Sequence, residues 1–305
     1  MKVRLGGRGS QLSLAQLEIV RGALARRFEV EIVTFTTTGD RLSRVDGITT
    51  GKDLFTREVD EALRDRRIDL GVHSAKDLPS QLPEGLAIAA VPLREDPSDV
   101  VVSREGGRLL SLPAGSRIGT SSPRRRAQIL SARPDLEVVP ARGNVDTRIR
   151  RLHEGRWDAI VLARAGLARL GRLDDATEVL LPSQMLPAVG QGALAVVARK
   201  DDSLLSELIA AIDHPPSHRE VLAERAVLGL LEAGCRAPIA GLARTDAGRM
   251  RLHVAVFSPD GSHTLYEEAE GVADRPEELG REVGKKLLAR GAAELITAAR
   301  VPEKS

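Results

Sequence analysis

The chain has 305 residues, of which 42% are apolar and 29% charged, and its 45 Lys and Arg nearly balance its 43 Asp and Glu. A chain of this length predicts two or three domains, and because no uncharged apolar run approaches the ~18 residues of a membrane helix, we expect a soluble protein without a membrane partner. The charged N-terminus predicts no secretion signal and the single cysteine, Cys235, excludes an internal disulfide framework, so we expect a cytoplasmic location.

The first half of the chain alternates segments typical of strands and helices. A strand over 3–6 precedes a helix over 12–26, which Ser10 or Ser13 can cap, and a strand over 30–36 precedes a helix over 53–66. The polar stretch 40–52 between them predicts a mobile loop. Further strands are predicted over 69–73, 87–91, 99–103, 117–119, 136–139, 159–162 and 193–198. Strands separated by helices predict parallel α/β sheets, and the proline-containing stretches 92–98 and 181–189 are the predicted crossings between two such domains.

The pattern changes from Ser217 onward. Ser217 and Glu220 predict a capping box that opens a helix to about residue 233, where Gly234 supplies a stop. Two strands over 249–257 and 262–270 flank a turn at 258–261, and helices follow from about residue 276. This part predicts a smaller α+β domain.

Three arginines in the first turn of a helix are the most informative feature of the chain. The strand that ends at Gly119 is followed by Ser122, a natural N-cap, and by Pro123, which suits the first helical position. Cations at this end of a helix are unfavourable by about 0.3–1 kcal/mol each, so the run Arg124–Arg126 favours a bound carboxylate or phosphate. A solvated run of charges is the alternative.

Other predicted strand ends also carry arginines beside turns or helix caps. In open α/β sheets, ligands bind beyond the carboxyl ends of the strands, so these side chains predict one cleft for a polyanionic ligand. The residues concerned are Arg4, Arg8 and Ser10 at the first strand, Arg142, Asn144 and Arg148 after the strand over 136–139, and Arg169 after the strand over 159–162.

Lys76 and Asp77 follow the buried strand over 69–73. In a cleft of arginines, a single carboxylate would stabilise a cationic intermediate or handle its protons. A surface ion pair is the alternative interpretation of these two residues.

Cys235 follows a helix stop, and a helix C-terminus raises the pKa of a thiol, so it is a poor protease-type nucleophile. An inert buried thiol is one interpretation, and a thiol that attacks a very reactive electrophile once is the other. No metal site is predicted, since His214 and His218 straddle the prolines at 215 and 216, which we expect to break a helix.

Seven motifs together closely resemble the porphobilinogen deaminase family, also called hydroxymethylbilane synthases, in order and over essentially the whole chain. They are Arg8-Gly9-Ser10 with Leu12, Leu54-Phe55, His73-Ser74-Ala75-Lys76-Asp77, Gly119-Thr120-Ser121-Ser122 with Arg124-Arg125, Arg142-Gly143-Asn144, Pro187-Ala188-Val189-Gly190-Gln191-Gly192 and Gly234-Cys235-Arg236-Ala237-Pro238.

The resemblance implies an α/β fold with two doubly wound domains similar to periplasmic binding proteins and a smaller α+β C-terminal domain. The implied division is 1–94 with 192–212, then 95–191, then 213–305, which carries the cysteine. The resemblance also implies that the chain is a monomeric transferase of tetrapyrrole biosynthesis. Four porphobilinogen molecules are joined head to tail, ammonia is released at each addition, and linear hydroxymethylbilane is released by hydrolysis.

The resemblance also implies roles for individual residues. A dipyrromethane cofactor is attached to Cys235 through a thioether, and Asp77 is the catalytic carboxylate. Phe55 and the loop over 40–52 match a flap over the cleft. The cofactor-binding residues are Lys76, Ser74, Thr120, Ser122, Arg124, Arg125 and Arg148. The substrate-binding residues are Arg4, Arg8, Ser10, Phe55, Arg142, Arg148, Arg169 and Gln191.

The sequence departs from the family pattern at four positions. Arg236 and Ala237 follow the cysteine where a smaller polar residue and Val are common, and Ala240 stands where Gly is common. Asp146 places an acid between two substrate arginines, so we expect it to turn away or to weaken one carboxylate contact.

Two other function classes fit parts of the sequence. A non-catalytic anion-binding module would suit a cleft between two domains, and a nucleic-acid binder would suit the run of three arginines. Aromatic residues make up only 2% of the chain, which argues against a stacking surface for single-stranded nucleic acid. Asp77 and Cys235 favour the enzyme, because a capture protein needs neither. A phosphate binder would avoid the acid, so we expect no nucleic-acid partner.

Overall fold

The structure is a computed structural model that describes residues 2–37, 53–201, 205–232 and 237–299. The predicted loop over 40–52, Gly234 and Cys235 therefore lie outside the described residues. Within these ranges the chain forms the strands β1 (Lys2–Arg8), β2 (Glu29–Phe35), β3 (Leu70–Ser74), β4 (Leu86–Ala90), β5 (Asp99–Ser103), β6 (Arg117–Gly119), β7 (Glu137–Val139), β8 (Ala159–Ala163), β9 (Glu178–Leu180), β10 (Leu194–Arg199), β11 (Ile239–Asp246), β12 (Arg249–Phe257) and β13 (Thr264–Val272).

The helices of the same ranges lie mostly between these strands. They are α1 (Gln11–Leu24), α2 (Asp53–Arg64), α3 (Pro123–Ala132), α4 (Val145–His153), α5 (Arg164–Arg169), α6 (Leu205–Ile212), α7 (Pro215–Leu230), α8 (Pro276–Ala289) and α9 (Ala292–Ala298). A short 3₁₀ helix, Ala75–Asp77, directly follows β3. Among the described helices, none is both long enough and apolar enough to cross a bilayer.

Two five-stranded sheets form the first two thirds of the molecule. Their strand orders are β2-β1-β3-β10-β4 and β7-β6-β8-β5-β9, and each sheet has a buried apolar cluster on both of its faces. The predicted α/β, doubly wound architecture is thus confirmed. The sheets are mixed rather than parallel, because β10 runs antiparallel to β3 and β4, and β5 runs antiparallel to β8 and β9.

The chain crosses between the two sheets twice. It leaves the first sheet after β4, builds the second sheet from β5 to β9, and returns to the first as β10. The predicted crossings over 92–98 and 181–189 fall in these two connections. Residues of both crossings therefore lie between the sheets, where the strand ends of each sheet meet.

Helix α1 shows how the sequence pattern produces this packing. Leu17, Val20 and Leu24 recur at helical spacing, are fully buried, and belong to the core on one face of the first sheet. Ser10 is the N-cap, and its side chain accepts a hydrogen bond from the Ser13 backbone N–H at 3.3 Å, which decides between the two predicted caps.

Trp157 packs under the end of β6 in the second sheet. Its side chain is 5% exposed, and a Cβ on Gly119 would lie 2.8 Å from the indole Cδ2. A side chain at Gly119 would force the indole or the strand to move, so the turn that follows β6 depends on this glycine.

The C-terminal part is an antiparallel sheet of three strands, β11-β12-β13, packed against α7, α8 and α9. The sequence predicted two strands and missed β11. The first five residues of β11 are all buried, so they lack the alternation by which a half-exposed strand is detected. Ala240, Ala255 and Phe257 also form a cluster with Ala127 of α3, which joins this sheet to the second α/β unit.

Helix α7 begins before the predicted position. His214 is the N-cap, its Nδ1 accepts a hydrogen bond from the Ser217 N–H at 3.3 Å, and two prolines occupy the first turn. The predicted capping box at Ser217 and the predicted break at the prolines are therefore wrong. Prolines are tolerated in a first turn because its N–H groups have no helical partner.

Glu224 of α7 ties the C-terminal part to both crossings. Its carboxylate is fully buried and accepts hydrogen bonds from Arg94 Nη1 at 2.6 Å, from the Gly190 N–H at 2.6 Å and from the Ala243 N–H at 2.8 Å. Arg94 also donates from Nε to the Gln191 carbonyl at 2.9 Å. Burial alone would lower the pKa of Arg94. The carboxylates of Glu224 and, more weakly, Glu220 outweigh burial and raise that pKa. A buried ion pair thus joins three parts of the fold.

Replacing Glu224 by Ala should lower the free energy of unfolding by about 3–5 kcal/mol, because Arg94 would stay buried without its partner. Urea denaturation followed by circular dichroism measures this change. Glu278→Ala is the matched control, since Glu278 pairs with Arg275 at 3.5 Å on a side chain that is 65% exposed, and it should leave the transition unchanged. Equal transitions for the two variants would contradict this role of Glu224.

Candidate active site

Eight of the predicted site residues line one cleft of about 360 Å³ between the two α/β sheets and the C-terminal part. Leu228, Ala237 and Ile239 of the C-terminal part complete its wall. The eight residues are Lys76, Asp77, Thr120, Ser122, Arg124, Arg125, Arg148 and Gln191.

The arginine-bearing turn after β6 is built as the sequence predicted. Ser122 is the N-cap of α3 and accepts a hydrogen bond from the Arg125 backbone N–H, and Pro123 occupies the first turn. The Thr120 hydroxyl accepts the Ser122 N–H at 3.2 Å. These local hydrogen bonds fix the start of α3, so the first arginines of the helix leave it in defined directions.

Arg124 and Arg125 are not a solvated run of charges. Arg124 is 3% exposed and Arg125 6% exposed, and both pair with Asp99, which is fully buried. Arg125 Nη2 lies 2.7 Å from Asp99 Oδ1, and Arg124 Nη1 lies 2.7 Å from Oδ2. Burial opposes the charged carboxylate, but the two guanidiniums outweigh it and hold the pKa of Asp99 far below its usual range.

The sequence prediction missed Asp99 because it assumed parallel strands. In a parallel sheet, the first residue of β5 would lie at the edge opposite the cleft. Since β5 runs antiparallel to β8, Asp99 pairs with Ala163, the last residue of β8, and so lies at the cleft edge. The only signal in the sequence is an acidic residue at the start of an otherwise apolar strand.

The two arginines differ in the donors that remain. Arg125 uses all three nitrogens, since Nε and Nη2 donate to Asp99 and Nη1 donates to the Val161 carbonyl at 2.9 Å. Arg124 Nη1 also donates to the Leu186 carbonyl, but its buried Nε has no hydrogen-bond partner in the described protein. A buried N–H of this kind is costly unless a ligand accepts it, and a carboxylate oxygen is a suitable acceptor.

Lys76 reaches the same cluster from the first sheet. Its Nζ donates to Gln191 Oε1 at 3.2 Å, and Gln191 Nε2 donates in turn to Asp99 Oδ1 at 2.8 Å. Burial first, and then the charge of Arg125, lower the pKa of Lys76 to about 7. We call Lys76, Arg124 and Arg125 the anchored cations, because Asp99 holds the first through Gln191 and the other two directly.

Arg148 approaches the cleft from the second sheet. Asn144 caps α4 by accepting the Thr147 N–H at 2.8 Å, and Arg148 Nε donates to the Gly143 carbonyl at 2.9 Å. Desolvation, followed by the charge of Arg125, lowers the pKa of Arg148 to about 10. Arg142, at the start of the same loop, is half-buried.

Asp146 does not compete for Arg148. It pairs with Arg172, whose Nη1 lies 2.7 Å from Asp146 Oδ1. The expectation that Asp146 turns away from the substrate arginines agrees with this contact.

The end of β1 lies near the end of β3. His73 is buried, and burial lowers its pKa to about 4. The charge of Asp77 opposes this shift, and the charge of Arg8 adds to it. Ser74 accepts a hydrogen bond from Gln16 Nε2 at 2.8 Å and so faces α1. The structure thus brings Arg8 to the neighbourhood of Asp77, as predicted from the strand ends.

Two predicted arginines are engaged elsewhere. Arg4 pairs with Asp69 at 2.8 Å. Asp69 directly precedes β3, which runs parallel to β1, so Arg4 lies toward the sheet edge away from the cleft. Arg169 Nη2 donates to the Gly192 carbonyl of the second crossing at 2.5 Å, and burial lowers its pKa to about 10. The structure does not place either of them on the cleft wall.

Two predicted residues cannot be located from the described side chains. Phe55 lies in α2, but its side chain is outside the described residues. Cys235 is outside them as well, although Ala237, two positions later in the sequence, lines the cleft. No group of metal-binding side chains is found among the residues that the structure describes.

The cleft is suited to a ligand with several carboxylates. Four cations, the three anchored cations and Arg148, line it together with one carboxylate, Asp77, whereas Asp99 is buried behind Arg124 and Arg125. Because Asp99 is already paired, Asp77 is the carboxylate of the cleft wall that can meet a positive charge on a ligand.

Comparisons with known proteins agree with this chemistry. A family model for the dipyrromethane cofactor binding domain of porphobilinogen deaminase matches residues 3–207, and one for the C-terminal domain of porphobilinogen deaminase matches residues 218–289. The chain is similar to the porphobilinogen deaminase of Desulforudis audaxviator, with 49% identity over 98% of both chains. It is also similar to those of Rubrobacter xylanophilus, at 49% identity over 96% of this chain and 95% of the other, and Mycobacterium ulcerans, at 47% over 96% of both.

The chain is also similar to solved structures at low sequence identity. One similar structure is the arginine-specific periplasmic binding protein of Salmonella typhimurium, with 16% identity, a TM-score of 0.39, and coverage of 69% of this chain and 91% of that chain. Another is a putative lipoprotein of Ruminococcus gnavus, with 12% identity, a TM-score of 0.45, and coverage of 69% and 90%.

The pKa of Lys76 predicts a pH dependence for anion binding. As the pH rises through about 7, Lys76 loses its proton and the cleft loses one positive charge. In a Cys235→Ala protein, which has no thiol to hold a ligand covalently, the affinity for sulfate should fall about tenfold between pH 6 and pH 8. Isothermal titration calorimetry measures this change.

Two further variants test the assignment to Lys76. In that Cys235→Ala background, Lys76→Met should bind sulfate weakly at both pH values. Lys2→Met should behave like the parent, because Lys2 is an exposed residue that pairs with Glu31. A fall of the same size in the Lys76→Met protein would show that another group titrates.

Proposed function

Because the chain belongs to the porphobilinogen deaminase family, we propose that the cleft between its sheets is the site of that family's reaction, with the residue roles given below. The chain is a transferase that joins four porphobilinogen molecules head to tail into hydroxymethylbilane, with release of ammonia and with a dipyrromethane cofactor. The observation that carries the residue roles is the unpartnered, buried Nε of Arg124, in the same cleft as Asp77.

The anchored cations, Arg148, Thr120 and Ser122 would hold the carboxylates of the dipyrromethane, with Ser74 beside them. Each pyrrole carries an acetate and a propionate, so the bound chain gains two negative charges per added unit. Fixed guanidiniums suit such a ligand, because they stay charged and present a planar fork to each carboxylate. When bound, the dipyrromethane supplies the terminal pyrrole carbon from which the chain grows.

Cys235 would anchor this cofactor. The thiol sulfur would add to the methylene carbon of an azafulvene, whose exocyclic double bond would return its electron pair to the pyrrole ring, and the thiol would lose its proton. Ala237, two positions after Cys235 in the sequence, lies on the cleft wall, and this supports the assignment. An ordinary thiol suffices, because the electrophile is very reactive.

Asp77 would stabilise the positive charge that develops on the substrate. When porphobilinogen loses ammonia, the C–N bond breaks with its electron pair on the leaving nitrogen, and the remaining pyrrole becomes an azafulvene cation. The Asp77 carboxylate accepts the pyrrole N–H and offsets this charge. A C–C bond would then join the azafulvene methylene carbon to the α-carbon of the neighbouring pyrrole, and Asp77, the carboxylate of the cleft wall, would accept the proton that this α-carbon loses.

The remaining substrate contacts would come from the rim of the cleft. Arg8, Ser10 and Arg142 are the residues we propose there for the incoming porphobilinogen and the growing chain, with Phe55 over the cleft, and Gln191 would contribute from the cleft wall. Arg169 would join them only by exchanging its bond to the Gly192 carbonyl for a substrate carboxylate. Arg4 is omitted, because its pair with Asp69 lies away from the cleft.

The proposal also covers the oligomeric state, the location, the partners and the domain limits of the protein. We infer a monomer in the cytoplasm without a nucleic-acid partner, and three domains over 1–94 with 192–212, 95–191 and 213–305. The burial of Arg124 and Arg125 against Asp99 argues against a phosphate-backbone surface at this run. The two crossings between the sheets support the limits of the second domain.

Intact-mass spectrometry tests the anchor directly. The purified protein should carry an added mass equal to two pyrrole units, and the Cys235→Ala protein should lack it. An unmodified mass for active wild-type protein would refute the attachment.

Asp77→Asn should lower kcat by about 10²- to 10³-fold, because the cation would lose its counter-charge while the hydrogen-bonding shape of the side chain is kept. Product formation from porphobilinogen measures the effect. Asp65→Asn is the control, since the Asp65 side chain is 62% exposed and pairs with Arg67, and it should retain full activity. Turnover by Asp77→Asn near the wild-type rate would remove Asp77 from the mechanism.

A further inference from the structure

Asp99 contacts Arg124 and Arg125 directly and Lys76 through Gln191, so it holds all three anchored cations. It is fully buried, and its Oδ1 accepts three hydrogen bonds, from Arg125 Nε at 3.1 Å, Arg125 Nη2 at 2.7 Å and Gln191 Nε2 at 2.8 Å. Its Oδ2 lies 2.7 Å from Arg124 Nη1. A charge buried this deeply requires such partners, and here three hydrogen bonds and the ion pair to Arg124 supply them.

The contacts of Asp99 extend across both sheets. Asp99 and the arginines belong to the second sheet, Lys76 follows β3 of the first, and Gln191 lies on the crossing between them. Through Gln191, one carboxylate of the second sheet therefore fixes an ammonium group of the first. Gln191 is itself held, because its Nε2 also donates to the Pro97 carbonyl at 2.6 Å.

This arrangement decides which donors remain for a ligand. Asp99 pairs with Nη1 of Arg124 and Nη2 of Arg125, and the buried Nε of Arg124 is left without a hydrogen-bond partner among the described residues. Without Asp99, the two guanidiniums would repel each other, and each would keep only one backbone carbonyl, of Leu186 for Arg124 and of Val161 for Arg125.

We propose that Asp99 is a positioning residue for the reaction, which orients the anchored cations so that they meet the carboxylates of the cofactor and growing chain from fixed directions. This inference rests on the proposed roles of the anchored cations. Asp99 contacts neither substrate nor cofactor in this role and acts only through its partners.

Asp99 has a second effect, on the charge of Lys76. The charged groups that act on Lys76 are Arg125 and Arg124, which lower its pKa, and Asp77 and Asp99, which raise it. Removal of the Asp99 charge leaves the arginines less opposed, so Lys76 should lose its proton at a lower pH. Since the protonated form binds carboxylates, activity should then fall at a lower pH as well.

The test is Asp99→Asn, which keeps the size of the side chain and one acceptor oxygen but removes the charge. For the holoenzyme we expect kcat/KM for porphobilinogen to fall about 10- to 100-fold, because the reacting groups are misaligned. We also expect the alkaline limb of the pH–rate profile to move about one pH unit lower. A residue with a merely structural role would lower activity without moving that limb.

Asp135→Asn is the matched control, because it makes the same change beyond the opposite end of α3, where Asp135 pairs with Arg133. It should leave the rate and the alkaline limb unchanged. Asp99→Asn with a wild-type rate, or with an unmoved alkaline limb, would overturn the proposal.

Arg124→Gln separates this proposal from the proposed function. If Arg124→Gln loses activity or the two-pyrrole adduct while Asp99→Asn behaves like wild type, the roles of the cations stand and the positioning role fails. If Arg124→Gln keeps full activity and full adduct, the proposed function of the cluster itself fails.

Gln191→Met provides a second route if Asp99→Asn does not fold. It removes the link between Lys76 and Asp99 and leaves both arginine contacts in place. The alkaline limb should again move lower, because Lys76 loses its hydrogen-bond acceptor. An unmoved limb in folded Gln191→Met protein would overturn the part of the proposal that concerns Lys76.

Discussion

The second crossing between the sheets is held by two buried carboxylates, and the cleft depends on it. Glu224 accepts the Gly190 N–H, and Asp99 accepts the Gln191 side chain. A carboxylate that has left water requires several donors, so each of these two gathers groups from distant parts of the chain. Gly190 can lie there only as glycine, since its φ is +72° and a Cβ would come within 3.0 Å of the Ala75 backbone. The ends of the two sheets are thereby brought to one place.

The charges of the whole chain nearly balance, but the charges that line the cleft do not. Many arginines are neutralised by the protein's own acids, as with Arg94 and Glu224 or Arg4 and Asp69. The cations that face the cleft are only partly neutralised, because Asp99 serves two guanidiniums at once. A net charge of +2 for the chain therefore says little about whether it binds an anion, since what matters is the ratio of charges at one site.

Sequence patterns predicted the local parts of this structure and missed the distant ones. The strands over 99–103, 117–119 and 249–257 have the predicted bounds, and Ser122 and Asn144 cap their helices as expected. These features depend on neighbours within a few residues. The capping box at Ser217 failed, because the competing cap at His214 uses the same Ser217 N–H.

The pairs that build the cleft join residues far apart in the chain. Asp99 and Gln191 are 92 positions apart, and Arg94 and Glu224 are 130 positions apart. No periodicity in a single segment carries that information, and the direction of β5, on which the place of Asp99 depends, follows only from the topology of the sheet. The site residues found in advance came from motifs at strand ends together with the family resemblance, and Asp99 belonged to none of those motifs.

Trp157 gives the molecule a built-in optical probe. It is the only tryptophan of the chain, and it lies beneath the strand whose end leads to Ser122 and the first arginines. Fluorescence excited at wavelengths longer than those that tyrosine absorbs therefore comes from Trp157, and so from the second sheet alone. A change in that emission during turnover would report movement under the arginine-bearing turn, without a contribution from the first sheet or the C-terminal part.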